Sequence, residues 1–366
     1  MSIPIGNAID VITDGGFAYV TTYPAGLVVA DISTPGVVTG LASVNLGFFP
    51  THLAKTGNLV VVIGGVALAV VDVSNPLAPV EVGRQALGGS EIVCLGSYAY
   101  VCTSAGTLRV ISLANPTAPV QLSELSIGGS PQDMSISGNL IAVAGNDRLL
   151  LLDVSNPTNP VRVGSLGTSC QTVAAESGFV YKDWADNLYG GGIQVVDAGT
   201  LTVVGQHQTN CWFNRLAVQG NLLFGAFRNT LGTSFGLRVV DVSNPTAPTT
   251  KGACLTGASP SGLAVSGNYV YMACGSLGVQ VADVTNPAKP KIITGAQPPS
   301  YPSQPQNPRA HYLAYVTMQW DQVANVTGYY IERALETTEY WERIADTHNS
   351  ANAWTGPTEF GVNWKY

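Results

Sequence analysis

The sequence predicts an all-β chain: a seven-bladed β-propeller of four-stranded blades, followed by an incomplete immunoglobulin- or fibronectin-like β-sandwich. Three observations predict it. A phrase of the type Val-Val-Asp-Val-Ser-Asn-Pro recurs seven times, its acidic position falling at residues 31, 72, 112, 153, 197, 241 and 283. The spacings of 40 to 44 residues match one four-stranded blade per copy. Between the copies, short apolar runs alternate with tight turns. Beyond residue 297, a proline-rich stretch introduces a different composition.

The 366 residues are 46% apolar and aromatic, enough for an extensive core, and only 11% charged. Glycine (41) and proline (22) are frequent, as many short strands joined by tight turns require. The net charge of −7 and the lack of any Lys/Arg cluster argue against nucleic acid as a partner. No apolar run approaches the length of a membrane span. The N-terminus lacks a basic region followed by an apolar one, so it does not read as a signal peptide. Yet low charge and abundant Gly, Ser, Thr and Asn suit an extracellular, cell-surface or virion location. Either a leader has been removed, or the protein reaches the exterior without one, as virion components do after lysis.

Blade 3 shows the unit. Residues 90–95 form the inner strand, Gly96-Ser97 turns the chain, 98–103 runs back, and 108–113 is the third strand. Asn115-Pro116 ends it, because proline cannot continue a central ladder, and 120–127 is the outer strand. The acidic residue of each phrase is expected to accept a hydrogen bond from the backbone two residues on, fixing the corner. A calcium ion there would need several converging oxygens.

The residues 70–76, 151–157 and 239–245 (Val-Val-Asp-Val-Ser-Asn-Pro, Leu-Leu-Asp-Val-Ser-Asn-Pro and Val-Val-Asp-Val-Ser-Asn-Pro) resemble the LVIVD repeat of bacterial and archaeal surface propellers, over residues 7–295. That resemblance implies the propeller fold and brings no activity or catalytic residues with it. Ser112 in place of the acidic residue, and Asp197-Ala-Gly without Asn-Pro, depart from the pattern, so those two corners must close differently.

The domains expected are therefore 1–297 for the propeller, 298–310 for the linker and 311–366 for a fibronectin type III-like tail, apparently truncated. In the tail, Val316–Asp321 alternates, Tyr329–Arg333 and Glu339–Ile344 follow as strands, and Trp320 is the expected core residue. A sandwich left open exposes an unpaired edge, so another chain is the expected partner completing it.

Candidate chemistry falls in three places. The loops of blades 5 and 6 look longer than the rest and carry Lys182, Asp183, Trp184, Asp186, Tyr189, His207, Trp212 and Arg228 towards one face. That mixture of aromatic, basic and polar residues is typical of a binding hot spot; the alternative is that the tryptophans plug gaps beneath the loops. In the same sector Cys170 and Cys211 open neighbouring inner strands and are either bridged or free. The triglycine at 190–192 precedes a strand rather than a helix, so it reads as a flexible turn and not a phosphate cradle. Finally, counting five residues back from each inner-hairpin glycine places Asp10, His52, Glu91, Asp133, Val173, Arg215 and Gly262 around the central channel. Asp10, His52, Glu91 and Asp133 either hold a structural Ca2+ or similar cation or serve the scaffold through hydrogen bonds and pairing with Arg215. No other cofactor is expected.

No nucleophile elbow, phosphate loop or His-rich metal motif occurs. The expected function is a non-enzymatic binding or structural module on a cell envelope or virion, recognising a protein or glycan through the blade 5–6 loops while the tail docks to an assembly. Two alternatives stand beside it. One is a carbohydrate-binding lectin stacking sugars on Trp184, Tyr189 and Trp212. The other is a hydrolase or lyase using the channel carboxylates.

Overall fold

The structure, a computed structural model, describes residues 5–24, 26–186, 190–229 and 232–293, apart from the side chains of residues 185, 186 and 190, together with the backbone of short strands between 309 and 365. The chain divides into two units, Met1–Ala296 and Gln297–Tyr366, close to the expected boundary.

The first unit is seven consecutive four-stranded antiparallel sheets. Their inner strands are Ala8–Asp14, Pro50–Thr56, Glu91–Leu95, Pro131–Ser137, Val173–Glu176, Cys211–Gln219 and Gly262–Ser266. In each blade the strands pair in sequence order from channel to rim. Blade 3 follows the expected bounds to within a residue, with strands Glu91–Leu95, Tyr98–Thr103, Thr107–Ser112 and Val120–Ser126. Second and third strands are buried on both faces, as in Leu27–Ala30, Val60–Ile63 and Leu68–Val71. This is why they read as continuous apolar runs rather than alternating ones. The core lies between neighbouring blades: Val61, Val70 and Ile63 of blade 2 pack on Ile92, Val101 and Ile111 of blade 3, and blade 3 repeats the arrangement with blade 4.

Every corner is closed as its sequence requires. The carboxylates of Asp31, Asp72, Asp153, Asp241 and Asp283 each accept a hydrogen bond of 2.8 Å from the backbone N–H two residues on. The following Asn repeats the motif, as when Asn156 Oδ1 accepts from Thr158 N at 3.1 Å. Where the pattern departs, the chemistry adapts. Ser112 Oγ accepts from Ala114 N at 3.3 Å, whereas Asp197 takes up Gly199 N, Thr200 N and Thr200 Oγ1.

These corners also seal the rim. Outer strands carry a small residue opposite the middle of the third strand, and the next blade's Asn-Pro turn packs onto it. A Cβ on Gly83 would lie 2.0 Å from Pro116 O, and one on Gly205 the same distance from Pro245 O. Blade 3 has Ser123 at this position, and its hydroxyl donates to Pro157 O at 2.8 Å.

The ring closes without exchanging a strand among the described residues. Blade 7 has its own outer strand, Lys291–Ile292. The seam is held by a two-bond bridge between Ala8 and Gly275, by Ser261 Oγ donating to Ile9 O at 2.6 Å, and by Ile293 against Gly36. Among the described residues no helix is long and apolar enough to cross a membrane.

In the second unit the strands Arg309–Tyr312, Tyr315–Gln319 and Ala353–Pro357 form one three-stranded sheet, and Tyr330–Leu335, Glu342–Asp346 and Trp364–Lys365 another. These overlap the strands expected at 316–321, 329–333 and 339–344. The Trp320 side chain lies outside the described residues.

Candidate functional site

The channel residues are delivered by a recurring backbone irregularity. The ladder between inner and second strands slips by one residue just before Asp10, His52, Asp133 and Arg215. Such bulges bend a strand and re-aim its side chains, here towards the axis. Gly262 of blade 7 leaves the space Asp10 occupies, since a Cβ there would lie 2.5 Å from Asp10 Oδ1.

The ring that results is an ion-pair chain. Arg215 reaches from blade 6 to two carboxylates: its Nη1 pairs with Asp133 Oδ1, and its Nη2 lies 3.1 Å from Glu91 Oε1. His52 stands between Asp10 and Glu91, with Nδ1 3.2 Å from Asp10 Oδ2 and Nε2 3.3 Å from Glu91 Oε1. Asp133 is further held by Thr172 Oγ1 at 2.6 Å, Val173 N at 3.0 Å and Met134 N at 2.8 Å. Glu91 and Asp133 are only 6% and 4% exposed.

Burial pushes the Glu91 carboxyl up to about 7, against the pull of Arg215 and His52. Burial also disfavours a charged His52, but its hydrogen bond with Asp10 and the charges of Glu91 and Asp10 outweigh burial and the opposing Arg215, so its pKa is raised. Beside the ring lies a cavity of about 340 Å3, lined also by Ile12, Ser135, Ala175 and Ala217.

The structure therefore brings Asp10, His52, Glu91 and Asp133 together, and adds Arg215 as the group that binds them. Among the described residues no set of three or more His, Cys, Asp and Glu side chains is arranged to hold a metal ion. The guanidinium supplies the positive charge that a structural Ca2+ would have brought, and the residues do not fit the ion.

Blades 5 and 6 differ from the sequence reading in a definite way. What looked like long loops are ladder extensions: blade 5 pairs Phe179–Asp186 with Gly190–Asp197 out to Asp186 and Gly190, and blade 6 pairs Leu222–Asn229 with Phe235–Asp241. The triglycine is strand rather than turn. Gly192 has no room for a side chain, since a Cβ would meet His207 O at 2.1 Å and Trp184 Nε1 at 2.9 Å.

Extension places several candidates inside. Lys182 is fully buried, its Nζ donating to Asp183 O at 3.0 Å, and burial lowers its pKa. Asp183 is 8% exposed and accepts from Gln171 N and Thr172 N. Neither is open to a partner at the surface, because the opposite faces of the strand to which they point are both covered. The indole N–H of Trp184 is buried with no hydrogen-bond partner, lying against Gly192, while the residue as a whole is half-buried. His207 Nε2 accepts from Thr250 N at 3.1 Å, tying blade 5 to the outer strand of blade 6. Trp212 and Arg228 remain half-buried and stack, with the guanidinium carbon 4.2 Å from the ring centroid. The Asp186 side chain and Tyr189 lie outside the described residues.

Cys170 and Cys211 are both buried and are not bridged to each other. Cys170 packs against Ala142, Leu149 and Leu151 of blade 4, while Cys211 Sγ donates to Thr209 Oγ1 at 3.3 Å. Their sulfurs turn to different neighbours, so of the two alternatives the thiols hold.

Sequence reasoning missed an exposed aromatic pair on the blade 1–2 side. Tyr23 and Phe49 are 53% and 54% exposed with ring centroids 5.2 Å apart. The Phe48-Phe49-Pro50 connector carried the signal, since two adjacent aromatics before an inner strand cannot both face the core.

Comparison with known proteins agrees with this geometry. The LVIVD repeat profile matches residues 5–45, 56–86, 89–124, 128–168, 214–256 and 258–294, more than half of the chain. The segment 169–213, which contains all four strands of blade 5, is not matched. Among solved structures, the computationally designed protein Ika8 is 12% identical, with a TM-score of 0.60 over 87% of this chain and 95% of that one. Hydrazine synthase of Kuenenia stuttgartiensis is 15% identical, with a TM-score of 0.61 over 78% and 97%. The WD40 domain of Neurospora crassa Pan2 is 12% identical, with a TM-score of 0.57 over 75% and 88%. At such identities the likeness is one of fold. No curated protein sequence matches the chain.

Proposed function

The chain belongs to the LVIVD-repeat family, and from that premise we propose that it is a non-enzymatic binding and structural module on an extracellular surface, of a cell envelope or a virion. One observation carries this reading. The sector where the repeat profile lapses is also the sector whose hairpins are lengthened, with the Trp212–Arg228 stack beside them. A ring that keeps its blades uniform elsewhere and extends two neighbouring ones has concentrated its variation where a partner protein or glycan can be engaged.

The lectin alternative has two half-buried tryptophans, Trp184 with its indole nitrogen turned against Gly192 and Trp212 stacked on Arg228. The hydrolase or lyase alternative has Glu91, raised to about 7 beside a cavity, a combination that often marks catalytic acids. Against it, Glu91 and Asp133 are bound to Arg215, and Asp10 faces His52. A carboxylate already engaged in this way is not free to approach a substrate.

For the tail, the proposed role is to dock the protein to its assembly through another chain, its two three-stranded sheets offering strand edges for pairing.

The test uses the full chain, biotinylated and applied to glycan and protein arrays. Binding should be lost in Trp212→Ala and in a variant whose blade 5 hairpin is trimmed to the length of the others. Arg109→Ala on blade 3 should bind as wild type. A trimmed variant that binds unchanged would overturn the reading.

A further inference from the structure

Each nitrogen of the His52 ring faces a different carboxylate, Asp10 Oδ2 at 3.2 Å and Glu91 Oε1 at 3.3 Å. A neutral imidazole has one N–H and one lone pair. It can donate to one of these oxygens but must point its lone pair at the other. Only the doubly protonated ring satisfies both.

Arg215 does not change this count. Its Nη2 lies 2.7 Å from Nδ1 and 3.5 Å from Nε2. Distances so similar to the two nitrogens place it against the side of the ring. A donor aimed along the Nδ1 lone pair would stand much further from Nε2. Along the carboxylate contacts the groups alternate in sign, Asp10 negative, His52 positive, Glu91 negative, Arg215 positive, Asp133 negative; the Arg215 contact with the ring is the one pairing of like sign and opposes the proton that Asp10 and Glu91 favour.

The other positions at this level, Val173 and Gly262, do not titrate. The Cys102 thiol behind Glu91 is pushed up by burial and stays neutral. His52 lines the cavity and is 21% exposed, so water can deliver and remove its proton.

We propose that protonated His52 is a pH-responsive latch that ties the inner strands of blades 1 and 2 to blade 3 at the channel, and that loss of its proton releases blades 1 and 2. Without that proton, two carboxylates of one sign face a lone pair, and blades 1 and 2 lose their cross-channel attachment. Blades 3, 4 and 6 keep theirs through Glu91, Asp133 and Arg215. The latch is independent of the partner-binding reading.

Two measurements on the full chain test it. In nitrogen-15 NMR, both His52 ring nitrogens should be protonated at pH 7 and should titrate together above the ordinary histidine value. Asp10→Asn should lower that midpoint. In hydrogen exchange, raising the pH through the midpoint should speed the inner-strand amides of blades 1 and 2 by roughly tenfold beyond the intrinsic rise, equivalent to about 1.4 kcal/mol. The amides of blades 3 to 7 should not follow. His52→Gln should remove the step.

A singly protonated His52 at pH 7, or a midpoint insensitive to Asp10→Asn, would overturn the proposal. So would acceleration spread equally over seven blades. If His52→Gln does not fold, the NMR titration of wild type and Asp10→Asn decides alone.

Discussion

At Arg215 one side chain does what no single strand can, joining blade 6 to blades 3 and 4 across the axis. Its removal would leave Glu91 and Asp133 buried without their cation. Arg215→Met should therefore cost about 3–5 kcal/mol of stability, the usual penalty for breaking a buried pair from one side, read as a fall in the urea midpoint. Arg215→Lys should fall between, since an ammonium cannot grip two carboxylates with a planar fork. The same residue scale fixes the pH profile of stability. His52 and Glu91 both hold their protons more tightly when folded, so the folded state binds more protons than the unfolded one and stability declines as pH rises through their folded values. The corner carboxylates work in the opposite sense. Asp241 is lowered to about 2 by its hydrogen bonds to Ser243 and Lys251, so its contribution is present above the ordinary carboxylate range and lost as pH falls towards 2. Urea midpoints measured across pH should peak at about pH 4 to 4.5, the ordinary range of a carboxylate, and fall above it as first Glu91 and then His52 lose the protons they hold in the folded state. A plateau reaching into the alkaline range would contradict this. Much of the channel was legible, because counting from the hairpin glycines placed seven residues on one ring. What counting could not show was that an arginine would span that ring, since reach depends on the width of the closed channel.

Single elements show why blades pack so regularly at the rim. The turn of one blade sits on the small outer-strand residue of the blade before it, Pro116 on Gly83 and Pro245 on Gly205. Gly83→Val should cost about 1–3 kcal/mol by forcing those two elements apart, seen as a lowered melting temperature. Gly83→Ser should cost less, because Ser123 already shows that a hydroxyl here can bond the facing carbonyl. Corners were the best-read elements, since an Asp or Ser side chain two residues from a backbone N–H has only a short local path to specify. Blade 5 was the worst read. Its triglycine and charged residues look like a loop, and a lysine is almost never fully buried. Yet glycine is what permits Trp184 and the His207 carbonyl to close over the strand. Lys182 is accommodated because backbone carbonyls receive its ammonium. Those contacts arise only from tertiary packing, and no local pattern announces them.

For the whole molecule, the division at residues 296 and 297 implies a propeller that stands by itself. A chain of residues 1–296 should unfold in one transition at the midpoint the propeller shows in the full protein. It should also bind no assembly partner, since docking is proposed to lie in the tail. A lower midpoint for the shortened chain would mean that the tail props the ring. The overall architecture was readable because seven near-identical phrases impose one spacing, and a spacing of this length has few solutions. The way the ring shuts was not readable, because nothing in a repeat says which copy must meet the first. That junction has a mechanical meaning. Rings of this kind can be fastened by weaving one end of the chain into the blade at the other. Among residues 5–293 the first and last blades meet as neighbours, and their junction carries a buried core of its own, with Val11, Val20 and Ile32 of blade 1 against Tyr271, Val279 and Val281 of blade 7. The Ala8–Gly275 bridge and one serine hydroxyl are added to that core. The junction is thus packed as blade 2 is on blade 3, and the closed ring is a hoop without a weak stave.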